Sequence, residues 1–224
     1  MSNLNSEKTG IQSLKIKWLT GTLLFFFIYA TLRYIVFKGV DPVHFPVYIV
    51  NKIFSIAGII FIALSYTISK VNWFKFNDDE NKVQFIQFAG LVGFSFSAMH
   101  VFLSLLVISP EYYPKFYHGN MMNLTGELSM LMGVFSIFCF SIPAITTIPF
   151  MQEAVGIKKW QRRQNMGYFG LLTALVHTVV MGFASWLTVA KWPGYLPPIS
   201  LIGAIIAFVP LYLKLTKKNS GRSN

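Results

Sequence analysis

Two of the four histidines in this chain occupy positions where an ionisable side chain is costly. His100 and His177 each lie inside a long apolar run, whereas His44 and His118 lie in shorter and more polar stretches. A histidine at such a depth marks a functional site by default, because lipid disfavours a polar group that lacks a partner. Two neutral imidazoles can act as the axial ligands of a haem iron, or they can hydrogen-bond neighbouring helices together.

The depths of these two histidines are predicted to match. His100 follows Gly90 by ten residues, His177 follows Gly167 by ten residues, and both helices are expected to run outward from the cytoplasm. Ten helical residues rise about 15 Å, so both imidazoles can face each other at one level in the outer half of the bilayer. A porphyrin would then need an apolar slot between the two helices. The expected lining is Phe94, Phe96, Met99, Leu103, Leu172, Thr173, Val180 and Met181.

Other metal chemistry suits these residues less well. A zinc site requires third and fourth ligands that two histidines do not provide. The single cysteine, Cys139, cannot form an intramolecular disulfide or hold an iron–sulfur cluster alone, and we expect it to be a small core residue. The residues alone leave two interpretations open: a haem-binding pair and hydrogen bonding between helices.

The composition indicates where these histidines reside. The chain has 224 residues, of which 54% are apolar and 12% are charged, and its mean hydropathy is +0.54. A soluble domain carries about 25% charged residues, so these values indicate a membrane protein. The net charge of +11 would suit nucleic-acid binding, but the bases lie between apolar runs and no motif that reads nucleic acid accompanies them. We therefore predict no nucleic-acid partner.

Six apolar runs are long enough to cross a hydrocarbon core of about 30 Å, which takes about 20 helical residues. Each run is continuous rather than alternating, which favours helices over strands. We predict an all-α integral membrane protein with one six-helix transmembrane domain at 18–215 and polar tails at 1–17 and 216–224. The predicted spans are Trp18–Phe37, Val47–Ser69, Val83–Ile108, Gly126–Phe150, Met166–Ala190 and Leu196–Leu215.

The basic residues predict the orientation of this bundle. With the N-terminus inside, fourteen Lys and Arg residues fall in inner segments and five in outer segments. The positive-inside rule then predicts that both termini are cytoplasmic, and we expect a bacterial inner membrane. The inner bases are Lys8, Lys15, Lys17, Lys70, Lys75, Lys82, Lys158, Lys159, Arg162, Arg163, Lys214, Lys217, Lys218 and Arg222; the outer ones are Arg33, Lys38, Lys52, Lys115 and Lys191.

Four stretches, taken in order, resemble the motifs of one known family over about Phe45 to Lys218. They are Phe45-Pro46-Val47-Tyr48-Ile49-Val50-Asn51-Lys52, Gly90-Leu91 ahead of His100, Thr146-Thr147-Ile148-Pro149, and Trp160 through Gln164 to Gly167-Tyr168 ahead of His177. The first is similar to I-P-x-x-x-V-N-K, the second to L-G-L, the third to T-S-I-P and the last to F-x-x-x-Q-x-x-x-G-Y. These motifs belong to the transmembrane domain of the STEAP metalloreductases, within the ferric-reductase-like superfamily.

The resemblance implies a single haem b held by His100 and His177. It also implies a flavin, FAD or FMN, near the inner ends of the helices. The residues expected to contact this flavin are Trp160, Gln164, Lys158, Lys159, Arg162 and Arg163. Basic side chains suit a pyrophosphate, although the same four bases can equally serve as topology determinants alone.

A membrane electron-transfer function follows from the resemblance. The sequence contains no GxGxxG motif, so electrons are expected to come from a cytoplasmic flavin reductase or from diffusing reduced flavin. They would pass to an external acceptor such as Fe(III) or Cu(II) chelates or oxygen, and the chain would act as an oxidoreductase subunit that needs a separate donor. Ferric chelates are commonly anionic, so Lys115, His118, Lys191 and Arg33 are candidates for contact with the acceptor.

Two other functions remain open at this point. One is a quinol-linked haem subunit that serves a periplasmic oxidoreductase, which would need no flavin. The other is a haem-free transporter or structural membrane protein in which the histidines only join helices. Members of the resembled family often form homo-oligomers, so a homo-oligomer is a further expectation. The flavin content of the purified protein separates the flavin-linked electron carrier from the quinol-linked subunit.

Overall fold

The computed structural model of the protein describes residues 2–71, 76 and 78–220. Within these residues, six helical segments are long and apolar enough to cross a membrane, which confirms the predicted all-α six-helix bundle of an integral, multi-pass membrane protein. Helices suit lipid because they satisfy their own backbone polar groups. The helices are α1 (Ser2–Ala30), α2 (Val50–Ile68), α3 (Asp79–Val107), α4 (Leu124–Thr146), α5 (Pro149–Val155), α6 (Ile157–Gln164), α7 (Met166–Trp186) and α8 (Ile199–Ser220).

The ends of several helices differ from the predicted spans. α1 begins at Ser2 and α8 runs to Ser220, so both stretches predicted as polar tails are largely helical. Hydropathy marks only the apolar part of a helix, and polar residues without proline can continue it beyond the membrane. α7 ends at Trp186 rather than Ala190. Lys75 and Arg222, two of the inner bases, lie outside the described residues.

An even number of spans brings both ends of the chain to one side of the bundle. We call this side the termini end and the opposite side the far end. At the far end, a two-stranded antiparallel hairpin, β1 (Tyr117–His118) and β2 (Met121–Met122), lies between α3 and α4. At the termini end, the short helices α5 and α6 join α4 to α7. Gly156 has φ +76° between them, a left-handed conformation that glycine adopts without strain.

The central helix of the bundle is α2. It packs against α1, α3 and α8, and its side chains Ile53, Ile56 and Phe61 are almost fully buried. α4 packs along α7, and α7 packs along α8. The helices that carry the two histidines, α3 and α7, rest mainly on α2 and α4 and make no extensive contact with each other in the described part of the chain. The two histidine-bearing helices, α3 and α7, therefore do not pack directly against each other over any length in the described structure.

A glycine pair brings α2 and α3 unusually close. A methyl group on Gly58 would lie 2.5 Å from Ser97 Oγ, and one on Gly93 would lie 2.6 Å from the backbone nitrogen of Ile62. Real Cβ atoms do not approach other atoms so closely, so both positions require glycine for the observed spacing. Small residues at helix crossings are the usual way in which membrane helices reach close contact.

Two π-helical segments occur at the far end. The first, Thr31–Phe37, continues α1 and buries Arg33 and Tyr34; the second, Phe45–Ile49, leads into α2 and buries Tyr48. A π-helical turn holds more residues than an α-turn, so side chains after it point in new directions, and such segments are frequent at functional sites. Here they turn a buried arginine and two tyrosines toward the interior of the far end.

Candidate functional site

His100 is held against α2 by the side chain and backbone of one residue. Its Nδ1 lies 2.6 Å from Asn51 Oδ1 and 3.3 Å from the Asn51 carbonyl oxygen. Asn51 is 1% exposed, and its amide nitrogen donates to Ser104 Oγ at 3.1 Å, one turn beyond His100 on α3. The imidazole is therefore oriented by a small polar network between α2 and α3.

His177 is held against α4 in a similar way, but by the backbone. Its Nδ1 lies 2.7 Å from the carbonyl oxygen of Ser129, and Ser129 Oγ lies 3.3 Å away. Gly133, one turn further along α4, permits this approach, because a Cβ there would lie 3.2 Å from the same Nδ1. The ring thus packs on the face of α4 that lacks a side chain.

These contacts fix the tautomer of both rings. A carbonyl or amide oxygen can only accept, so Nδ1 of each imidazole must carry the proton and donate it. The proton on Nδ1 leaves a lone pair on Nε2. In the described part of the chain, neither Nε2 has a hydrogen-bond partner. This is the protonation pattern of histidines that bind a metal through Nε2, with Nδ1–H held by an oxygen.

Neither Nε2 atom is completely enclosed by protein. The two rings retain partial exposure, and neither Nε2 is among the fully buried polar atoms without a partner. His100 and His177 are also close enough to interact electrostatically. Among the described residues, two Nε2 lone pairs thus remain without a protein partner on histidines that lie near each other. A purely structural histidine explains the Nδ1 contacts equally well, but it gives no reason for the free Nε2.

Some of the side chains predicted to line a slot between the histidines pack in the protein interior, and others are exposed. Phe96 turns to α2, where its ring stacks on Phe54 at 5.4 Å between centroids and meets Phe61 at 6.2 Å. Phe94 packs against the main core. Met99 and Leu172 are exposed. Phe96 therefore packs against α2, and the expectation that these side chains line a haem slot stays a prediction.

A group of four basic side chains, Arg33, Lys38, Lys52 and Lys115, converges at the far end and is called here the cation cluster. Lys52 interacts electrostatically with the other three. Its Nζ lies over three rings, at 4.1 Å from the centroid of Tyr48, 4.9 Å from Tyr34 and 5.5 Å from Tyr113.

The cation cluster has no carboxylate partner. None of its members forms an ion pair with Asp or Glu in the part of the chain that the structure describes. Arg33 is 6% exposed and donates to the Leu196 carbonyl, while its Nε is buried without a partner. Arg33 is buried and Lys52 is half-buried, whereas Lys38 and Lys115 are exposed. Four like charges so close together repel one another, so this arrangement favours an anion beside them.

The cation cluster predicts a pH dependence. Burial, and then the charge of Arg33, lowers the pKa of Lys38; burial, and then Lys38, lowers the pKa of Lys115. A lowered pKa means that the positive charge is present at low pH and lost as pH rises, starting below the ordinary lysine value of about 10.4. We expect citrate binding, measured by calorimetry, to weaken over that range. Lys115→Arg should shift the loss to higher pH, and an unchanged profile would argue against a role for Lys115.

The residues predicted for acceptor contact behave differently from one another. Arg33 and Lys115 join the cation cluster, whereas His118 and Lys191 are exposed and make no contact with it among the described residues. Lys38 and Lys52 were not in that predicted set. The adjacent Asn51-Lys52 pair was a signal available in the sequence, since a lysine within an apolar span is rare and usually functional.

At the termini end, the residues predicted to contact a flavin lie on one short helix. On α6, Lys158, Lys159, Arg162 and Arg163 are exposed, whereas Trp160 and Gln164 are half-buried. The indole N–H of Trp160 is buried without a partner. The structure therefore groups all six residues and leaves one buried donor unused.

Gln164 has a structural role that the sequence did not indicate. Its Nε2 donates to the Pro143 carbonyl at 3.3 Å and lies 3.4 Å from the hydroxyls of Thr146 and Thr147. The backbone carbonyl of Gln164 accepts a hydrogen bond from the Tyr66 hydroxyl at 2.8 Å. Gln164 thus ties α6 to the end of α4, and only its Oε1 remains for a ligand.

A separate groove faces the lipid side of α1. It has a volume of about 710 Å³ and lies between α1, α2 and α8, lined by residues that include Lys17, Trp18, Gly21, Phe25 and Ile206. None of the predicted site residues lines it. Elsewhere among the described residues, no group of three or more His, Cys, Asp or Glu side chains could hold a metal ion.

Comparison with known protein families adds no assignment, because no family model matches the chain.

Proposed function

We propose that this protein is a haem b-containing transmembrane electron carrier of STEAP-like type, with His100 and His177 as the axial ligands. The observation that carries the proposal is the pair of Nε2 lone pairs that have no partner among the described residues and are not fully buried, while each Nδ1–H is held by an oxygen. Haem, when bound, supplies the one-electron chemistry that no side chain of this chain can perform. The residues fit that group, since axial imidazoles must be neutral and oriented.

The protein's own contribution is orientation and an apolar environment. Asn51 and the Ser129 carbonyl hold the two rings, and Gly133 allows His177 to rest on α4. Apolar side chains of the surrounding helices would supply a low-dielectric environment for a haem held by His100 and His177. In this proposal the termini end faces the cytoplasm of a bacterial cell and the far end faces outward, in agreement with the distribution of basic residues.

Electrons would enter at the termini end from reduced flavin or a partner reductase. The exposed bases of α6 suit a phosphate or pyrophosphate, and the Trp160 indole N–H, which is buried and has no partner among the described residues, lies on the same helix. Bound flavin would convert two-electron donors into single electrons. The chain itself would supply the anchoring charges and one hydrogen-bond donor.

Electrons would leave at the far end to an anionic acceptor. The cation cluster supports this direction, because four cations without a carboxylate partner attract chelates such as ferric citrate. Lys52 follows Asn51 directly, and Asn51 contacts His100, so the cluster lies next to one proposed ligand. Fe(III) or Cu(II) chelates are the acceptors that this charge favours, and oxygen is an uncharged alternative.

The test is an anaerobic optical titration of the purified protein. Reduced FMN is added first, and ferric citrate is added once the spectrum stops changing. We expect a Soret band with sharp reduced α and β bands, followed by reoxidation on addition of the chelate. A protein purified with supplied haem that shows no Soret band would disprove the proposal. Reduction by a quinol but not by flavin would instead favour the quinol-linked alternative.

The flavin part of the proposal has its own prediction. Reversing two charges with Arg162→Glu and Arg163→Glu should weaken FMN binding by roughly 10-fold or more, because two phosphate-attracting charges become repulsive. Flavin fluorescence quenching measures the affinity, and the haem spectrum serves as the internal control for folding. Lys82→Glu, on α3 rather than α6, reverses one charge and is compared with Arg162→Glu alone, which changes the net charge by the same amount. An equal loss in both proteins would reveal a general charge effect and exclude a site on α6.

A further inference from the structure

The two proposed ligands are held by oxygens of different kinds. His177 donates to a backbone carbonyl, which persists whatever side chain occupies position 129. His100 donates over 2.6 Å to the side-chain oxygen of Asn51, and the backbone carbonyl of Asn51 lies further away at 3.3 Å. Only the His100 contact can therefore be adjusted by the identity of one residue.

Asn51 is itself held in place on several sides. Its Nδ2 donates to Ser104 Oγ at 3.1 Å, and Ser104 Oγ lies 3.4 Å from the Asn51 Oδ1. The amide also interacts with the Tyr113 phenol, which belongs to the aromatic set around Lys52. With Nδ2 donating to Ser104 Oγ, Oδ1 lies on the side of His100, 2.6 Å from its Nδ1. Contacts on α3 therefore hold both ends of the Asn51 amide.

Resting on the proposed function, we infer that Asn51 is a positioning residue that sets the redox potential of the haem through His100. A hydrogen bond from Nδ1–H moves electron density onto Nε2 and makes the imidazole a stronger donor to iron. A stronger donor stabilises Fe(III) over Fe(II) and lowers the potential. Because His177 has a fixed backbone partner, only the hydrogen bond from His100 to Asn51 can change the redox potential through the identity of a side chain.

Two substitutions at Asn51 should act in opposite directions. Asn51→Leu has a similar volume and no acceptor, so the Fe(III)/Fe(II) equilibrium should move toward Fe(II) by about tenfold, which is 59 mV for one electron. Asn51→Asp offers a stronger acceptor and should move the equilibrium about tenfold toward Fe(III). A residue that mattered only for packing would shift both variants in the same direction, so opposite signs identify tuning through the hydrogen bond.

The measurement is a spectroelectrochemical titration of the haem in the full-length, detergent-solubilised protein. Ser136→Ala is the matched control: it removes a buried hydroxyl that donates to the Gly170 carbonyl between α4 and α7 and has no hydrogen bond to either histidine in the described structure, so its equilibrium should stay within about twofold of the original protein. The electron paramagnetic resonance g-values of the oxidised haem give a second readout of imidazole donor strength, independent of electron transfer.

Each result decides the inference. Opposite shifts in Asn51→Leu and Asn51→Asp support it, and unmoved potentials or shifts of one sign overturn it while haem binding stands. If Asn51→Leu does not retain haem, Asn51→Asp decides alone, and a potential that is unchanged or raised overturns the inference. Absence of haem from the unsubstituted protein would overturn the proposed function as well, which distinguishes the two failures.

Discussion

Replacing either His100 or His177 by alanine is expected to abolish the spectrum of a six-coordinate haem. One imidazole cannot hold low-spin iron with two histidine ligands, so the sharp reduced α and β bands should disappear even if some haem remains bound. The loss should be nearly complete for each variant alone, because the two ligands act on one iron. Absorption spectra of the oxidised and reduced purified proteins provide the measurement.

The controls for this prediction separate ligation from folding. His118→Ala removes an exposed imidazole at the far end and should leave the spectrum unchanged. Each alanine variant also loses a hydrogen bond between helices, so circular dichroism must show that the bundle persists. Added imidazole should restore part of the low-spin spectrum by entering the vacated position. Two alanine variants with the original haem spectrum would show that the ligand assignment is wrong.

The second large effect is expected at Lys52. Lys52→Met keeps an apolar side chain of similar length among the three tyrosine rings and removes the charge at the centre of the cation cluster. Hydrogen bonds to charged groups contribute about 1.5–3 kcal/mol. The KM for ferric citrate should therefore rise roughly 10- to 100-fold, while the haem spectrum remains that of the original protein.

A matched variant and a change of acceptor make this prediction specific. Lys191→Met removes an exposed far-end charge that lies apart from the cation cluster in the described structure, and its KM should stay within about twofold. An uncharged acceptor such as oxygen should be reduced by Lys52→Met at the original rate. Equal effects on ferric citrate and oxygen would point to a damaged haem environment and contradict a role in anion binding.

Much of the fold was predictable because lipid imposes the same requirement on every span. A continuous apolar run of about 20 residues has few alternatives to a helix, so the six spans followed from hydropathy alone. Their ends were less predictable. The helical stretch before Trp18 and the helical continuation to Ser220 carry polar residues that hydropathy cannot distinguish from a loop.

The site divides in the same way. Residue spacing predicted a matched depth for His100 and His177, because each helix advances by a constant rise, and the structure places the two close enough to interact electrostatically. The partners of the two rings could not, because Asn51 and Ser129 are 49 and 48 residues away in the chain and depend on helix packing. The cation cluster could be predicted only in part: Arg33 and Lys115 were candidates, but their convergence with Lys38 and Lys52 was not predictable, since the members come from separate segments and no sequence period specifies the π-helical turns near them.

The close crossing of α2 and α3 at Gly58 and Gly93 controls the spacing of these helices at the histidine contact. Gly58 follows Asn51 by seven residues, and Gly93 precedes His100 by the same number, so the crossing lies two helical turns, about 10 Å, from the histidine contact. A methyl group at either glycine would force α2 and α3 apart at the crossing, and this would lengthen the distance between Asn51 and His100. Gly58 and Gly93 thus set the distance between the Asn51 amide and the His100 imidazole, although neither glycine touches those groups.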